Sequence, residues 1–171
     1  EELAIDSDRV YVSGFSNGAF MAYTTACFLS NKVAAVAPVS GSLSPEDYES
    51  CNPQRPLSII HIHGINDSSI PIQGNDYITP LQLVSAFWSS FNSCTENIIV
   101  DGEDLNNDGY SWYSEISTNC QNGVSVNFTY LENFDHSWPT SNPEKGYSAD
   151  IDGATFIWEF LSLYDTNGLI D

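Results

Sequence analysis

The sequence is short of positive charge. Of its 171 residues only Arg9, Lys32, Arg55 and Lys145 are basic, against 23 acidic ones, for a formal net charge of −19. Such a surface repels phosphate backbones and anionic lipid, which argues against nucleic acid as a partner and against an anionic substrate. Long apolar runs are missing, so no segment reads as a membrane-spanning helix. No secretory leader is recognisable at Glu1, where the sequence starts abruptly; a removed leader or an internal start is expected. Histidine is scarce, with only His61, His63 and His136. None of the four cysteines forms Cys-x-x-Cys, so zinc ligation is not expected. No internal repeat or linker divides the chain, and its length suits a single domain, residues 1–171, with a core of its own.

Cys27, Cys51, Cys94 and Cys120 form an even set with two similar separations. The spacing points to disulfides Cys27–Cys51 and Cys94–Cys120, each adding about 3 kcal/mol by restricting the unfolded chain; the alternative is four buried thiols. Disulfides imply an oxidising compartment, hence a secreted or periplasmic protein. Asn66-Asp-Ser and Asn127-Phe-Thr match the glycosylation sequon.

The chain is organised around Arg9-Val-Tyr-Val-Ser-Gly14-Phe15-Ser16-Asn17-Gly18-Ala. A short apolar run ends in Gly-x-Ser-x-Gly, and a helical run follows at once, which is the strand–turn–helix setting of a nucleophile elbow. Gly14 and Gly18 leave room for helix and strand to approach, and Ser16 is pushed out at the sheet's carboxyl edge. The helix points its N-terminus at Ser16, where its dipole favours developing negative charge.

Val10–Ser13 reads as the first strand, and Ala19–Ser30 as a helix apolar nearly all round and therefore buried. Val33–Val39 is a continuous apolar strand, Ser40–Pro56 a loop punctuated by Gly41, Pro45, Pro53 and Pro56, and Leu57–His63 a third strand. Leu81–Phe91 has helical spacing. Ile98–Val100 and Tyr110–Ile116 form a hairpin, Val124–Leu131 a strand with alternating apolar residues, and Ile151–Tyr164 a closing helix. This alternation gives an α/β fold with a mostly parallel sheet, helices on both faces, and functional groups at the carboxyl ends of the strands.

A serine nucleophile needs a base, and the base an acid to orient it. Asp67 follows the third strand and His136 the last, in the order Ser16, Asp67, His136. Asp76 and Asp135 are rival acids, although Asp135 is too close to His136 in sequence to reach its far nitrogen. His61 and His63 read as structural, with His63 packed near the site.

Four stretches together, Gly14-Phe-Ser16-Asn-Gly18, Ala34-Ala-Val-Ala-Pro-Val-Ser-Gly41, His63-Gly-x-x-Asp67 and His136-Ser-Trp-Pro139, resemble the polyhydroxybutyrate depolymerase/feruloyl esterase branch of the α/β-hydrolases. The likeness runs from about Asp6 to Tyr164, His-Ser-Trp-Pro being its most specific part. It implies a secreted serine ester hydrolase that uses no cofactor, with catalytic Ser16, Asp67 and His136. The Asn17 amide is the implied oxyanion donor. Trp138, next to the base, reads either as lining the acyl or alcohol pocket or as a packed loop anchor, and Phe15 is a second candidate for substrate binding. The cysteine positions are similar as well. Members of that branch begin with several more strands and a His/Gly-rich loop that supplies a second oxyanion amide. Here the chain starts just before the elbow strand, so an open edge is expected there, to be met by a missing N-terminal segment or by self-association.

Asp104-Leu-Asn106-Asn-Asp108-Gly109, continuing to Glu115, has the spacing of a calcium loop. Its flanks read as strands where such a loop needs helices, which favours a hairpin turn. The expectation is therefore a carboxylic ester hydrolase acting on small or polymeric esters, whether hydroxyalkanoate, feruloyl or related polyesters. The competing readings are a serine peptidase of the prolyl-oligopeptidase type and an inactive fragment with a vestigial triad.

Overall fold

The computed structural model describes residues 4–105, 107, 109–140 and 150–170. In chain order the elements are β1 (Tyr11–Phe15), α1 (Asn17–Phe28), β2 (Ala35–Val39), α2 (Pro45–Ser50), β3 (Ser58–Gly64), α3 (Leu81–Phe91), β4 (Glu96–Asp101), β5 (Trp112–Thr118), β6 (Val126–Leu131) and α4 (Gly153–Leu161). A small ribbon, β7 (Tyr164–Asp165) with β8 (Gly168–Leu169), closes the described chain.

Six strands form one sheet in the order β1-β2-β3-β6-β5-β4. β1, β2, β3 and β6 run parallel, while β5 and β4 are antiparallel additions beyond β6. The two central parallel strands β2 and β3 are buried at every position, as expected where both faces are covered. One face carries α1 and α3, through Tyr23, Ala26, Leu81, Val84 and Trp88 against Val36, Ile59 and Phe128. The other carries α4, through Ile157 and Leu161 against Ala35, Ala37, Ile60 and Ile62. This is an α/β fold with a mostly parallel sheet and helices on both faces.

Three local expectations need correction. α1 is not buried all round: Ala19, Ala22, Tyr23, Ala26 and Cys27 face the sheet, whereas Met21 is 64% exposed. α1 lies over the edge of the sheet, so only one of its sides meets a layer. The segment 40–56 is not all loop. Ser44 accepts a hydrogen bond from the Asp47 amide and Pro45 opens the short helix α2, a start that suits proline because its first-turn N–H has no partner anyway. In β6 the polar set is buried too: Thr129 bonds Ser114 across the sheet at 2.7 Å and Asn127 at 3.1 Å. Burial of Asn127 within the sheet removes it as a glycosylation acceptor in the folded protein; Asn66 is exposed.

Disulfides join Cys27 to Cys51 and Cys94 to Cys120. The first ties the end of α1 to the end of α2, and the second ties the loop after α3 to the turn before β6. Among the described residues no helix is long and apolar enough to cross a membrane.

Candidate active site

β1 ends at Phe15 and α1 begins at Asn17, so one residue makes the whole reversal. Ser16 makes it with φ 55° and ψ −117°, a backbone state that costs an L-residue of order 1–3 kcal/mol and is typical of functional turns. Its amide is anchored to the Val39 carbonyl at the end of β2, 2.9 Å away. Gly14 is what permits the turn, because a Cβ there would overlap the backbone of Gly18. Gly18 itself has open space where a Cβ would stand, so the clearance read from both glycines is needed only at Gly14. Gly41, after β2, packs beneath the elbow against Ala19, again with no room for a side chain.

The candidate acid and base come from neighbouring strand ends. β3 stops at Gly64, whose missing Cβ lets the chain at Phe134 and Asp135 lie directly against it. The Asn66 amide donates to the Phe134 carbonyl at 2.9 Å, which brings the loop after β3 against the loop after β6. His136 Nδ1 lies 2.7 Å from Asp67 Oδ2, and its Nε2 lies 2.8 Å from Ser16 Oγ. Ser16, His136 and Asp67 thus stand in one hydrogen-bonded row.

Asp67 is 3% exposed. Its Oδ1 accepts from the amides of Ser69 and Ile70 at 2.9 and 2.8 Å, and its Oδ2 has both His136 and His63 as neighbours. Burial alone would push this carboxyl up. Hydrogen bonds from His63, the Ile70 amide and His136 outweigh it and hold the group at about 2, so Asp67 is an anion throughout the neutral range. The rivals stand elsewhere: Asp135 accepts from the Ser137 hydroxyl at 2.8 Å, and Asp76 is exposed in the turn between Asn75 and Ile78.

Asn17 opens α1, where backbone N–H groups have no intrahelical acceptor. The Phe15 ring lies 4.9 Å from the His136 ring and 6.5 Å from Trp138, centroid to centroid. Trp138 is 39% exposed, so the two rings form an apolar wall beside the imidazole. A groove of about 850 Å³ lies elsewhere, lined by Leu81, Ser85, Ser89, Tyr113, Glu115 and Tyr130; it holds none of the side chains of Ser16, Asp67 or His136.

Asn106 and Asp108 of the candidate calcium loop lie outside the described residues. Of the remaining two, Asp104 accepts from the Gly109 amide at 3.0 Å, and Glu115 is on β5, paired with Ile99 and Phe128. Among the described residues no group of three histidine, cysteine or carboxylate side chains gathers as a metal site.

Sequence inspection passed over Tyr23. Its hydroxyl lies 2.9 Å from His61 Nδ1, and His61 Nε2 lies 3.0 Å from His63 Nδ1. A tyrosine among the alanines of a buried helix face was the available signal, since a buried hydroxyl needs a partner.

The phospholipase/carboxylesterase family model matches residues 1–101. The chain is 32% identical over 168 residues to the bifunctional acetylxylan esterase/xylanase of Neocallimastix patriciarum, covering 98% of this chain and 22% of that one. It is 29% identical over 144 residues to feruloyl esterase B of Piromyces equi, covering 78% and 26%. The chain therefore spans about a quarter of the length of these two relatives. Among solved structures it resembles an acetyl xylan esterase from Aspergillus awamori, with a TM-score of 0.60 at 15% identity over 92% of this chain and 60% of that one. It also resembles the esterase PE8, with a TM-score of 0.53 at 15% identity over 91% and 52%. At such identities the two structures speak for the fold. With more than half of its length matched by the family model, the chain belongs to the phospholipase/carboxylesterase family of α/β-hydrolases.

Proposed function

We propose that the protein is a serine carboxylic ester hydrolase, with residues 1–171 forming the C-terminal part of a single catalytic domain. The observation that carries this reading is the continuous row from Ser16 Oγ through His136 to Asp67. Ser16 Oγ attacks the ester carbonyl carbon as its proton passes to His136 Nε2. The Asn17 amide, at the positive end of α1, donates to the oxyanion. The tetrahedral intermediate collapses by breaking the bond to the alcohol oxygen, which takes the proton from His136. Water then attacks the acyl-enzyme, gives a proton to His136, and the acid leaves as Ser16 Oγ recovers its hydrogen. Asp67, already an anion, keeps the Nδ1–H of His136 pointed at itself and stabilises the imidazolium. The net charge of −19 repels the carboxylate product.

For the substrate, relatives named acetylxylan and feruloyl esterases favour small acyl esters carried on a polysaccharide, ahead of the hydroxyalkanoate polyesters also considered. Phe15 and Trp138 hold the acyl group in this reading, which the closeness of the Phe15 ring to the rings of His136 and Trp138 supports. Two disulfides suit work in an oxidising compartment outside the cytoplasm.

Ser16→Ala should abolish hydrolysis of p-nitrophenyl acetate and labelling by a fluorophosphonate; unchanged turnover rejects the reading. Acetylated and feruloylated saccharides set against peptide substrates separate the esterase from the peptidase alternative. Absence of labelling in the native protein would favour a vestigial site.

A further inference from the structure

Asp67 has a second imidazole neighbour that the proposed reaction does not use. His63 Nε2 lies 2.8 Å from the Ile70 carbonyl oxygen and 3.3 Å from Asp67 Oδ2. His63 Nδ1 meets His61 Nε2 at 3.0 Å, and His61 Nδ1 meets the Tyr23 hydroxyl at 2.9 Å. Tyr23, His61 and His63 are each 0% exposed.

The direction of this row follows from its end. A carbonyl oxygen only accepts, so the hydrogen between His63 and Ile70 sits on Nε2. In a neutral ring Nδ1 is then the acceptor, and His61 must donate to it from Nε2. His61 Nδ1 accepts in turn, and Tyr23 gives its hydroxyl hydrogen. Burial, with His63 adding to it, pushes His61 well below the usual histidine range, so the ring is neutral. Burial, with Tyr130 nearby, pushes the Tyr23 hydroxyl up, so it keeps its hydrogen. His61 also stacks on Phe128 at 4.9 Å, which fixes the plane of its ring.

We propose that His63 is a positioning residue for the Asp67 carboxylate, held as an Nε2–H donor by a one-way row of hydrogen bonds from Tyr23 through His61. It acts at two atoms. Its N–H is shared between Asp67 Oδ2 and the Ile70 carbonyl, and the amide of that same Ile70 donates to Asp67 Oδ1. His63 thus grips both the acid and the peptide that holds the acid. Because Tyr23 is on α1, the row also connects the helix behind the nucleophile to the loop of the acid.

The proposal rests on Asp67 being the acid of an esterase triad, and its test separates the two ideas. With three histidines in the chain, nitrogen-15 correlation spectra of the imidazoles resolve each tautomer without any turnover. His61 and His63 should both show Nε2–H and an unprotonated Nδ1. An Nδ1–H in either ring overturns the proposal. In parallel, His63→Gln keeps a side-chain N–H donor and His63→Leu has none. On p-nitrophenyl acetate, the leucine variant should lose about tenfold or more in kcat with KM little changed, the scale of one charge-assisted hydrogen bond. The glutamine variant should recover most of it. Equal losses in both, at equal folded fractions by circular dichroism, overturn the positioning role. A native protein inert towards esters would sink the esterase reading, and the tautomers would still decide this one.

Discussion

At the scale of single residues, Asp67 concentrates the acid sensitivity of the site. Its carboxyl is held at about 2 against an ordinary 3.8. A folded-state value below the unfolded one stabilises the protein fully above the unfolded value, and that contribution drains away as pH falls through the folded value. Allowing for solvent screening, it is worth about 1–2 kcal/mol. Denaturant unfolding of the native protein should therefore lose about that much between pH 4 and pH 2, and Asp67→Asn should show a shallower slope over the same range. Parallel slopes would contradict the assignment. The convergence of Ser16, Asp67 and His136 as a candidate site was legible because each follows a strand and the three occur in a recognisable chain order. The row behind them was not. His61 and His63 alternate along β3, but nothing in the sequence says that the face they share meets Tyr23 on one side and the Ile70 carbonyl on the other.

At the scale of elements, the elbow depends on one glycine more than on two. A Cβ at Gly14 would collide with backbone at Gly18, which cannot step aside without opening the turn, whereas a Cβ at Gly18 meets nothing within 4 Å. Gly14→Ala should lower the melting temperature and remove Ser16 labelling. Gly18→Ala should leave the melting temperature unchanged or raise it, alanine being favoured over glycine in a helix by up to about 1 kcal/mol; calorimetry of the two variants checks this. Strand and helix types were legible from periodicity, with ends shifted by a few residues. α2 was hidden because Pro45 reads as a loop residue, although it is at home in a first helical turn. The one-sided burial of α1 was hidden because composition reports how apolar a helix is and not how many layers surround it.

At the scale of the whole molecule, two covalent ties stand against a large charge imbalance. Each closes a loop of similar length, with separations of 24 and 26 residues, and each contributes about 3 kcal/mol in the chain-entropy account. Reduction should lower the melting temperature by about 10–20 °C, read by calorimetry with and without a thiol reductant; an unchanged transition would show that neither tie restrains the unfolded chain. The α/β class was legible from the alternation of elements. The parallel pairing of β6 with β3 was not, because strand order is set by long-range pairing and these two strands are separated in sequence by a helix and a hairpin. One further consequence follows from the bare backbone at Gly64. Since that strand end and the chain at Phe134 and Asp135 are pressed together with no side chain between them, the Asp67 carboxylate and the His136 imidazole ride on a single clasp, and a loosening there shifts them as a pair relative to the Ser16 hydroxyl.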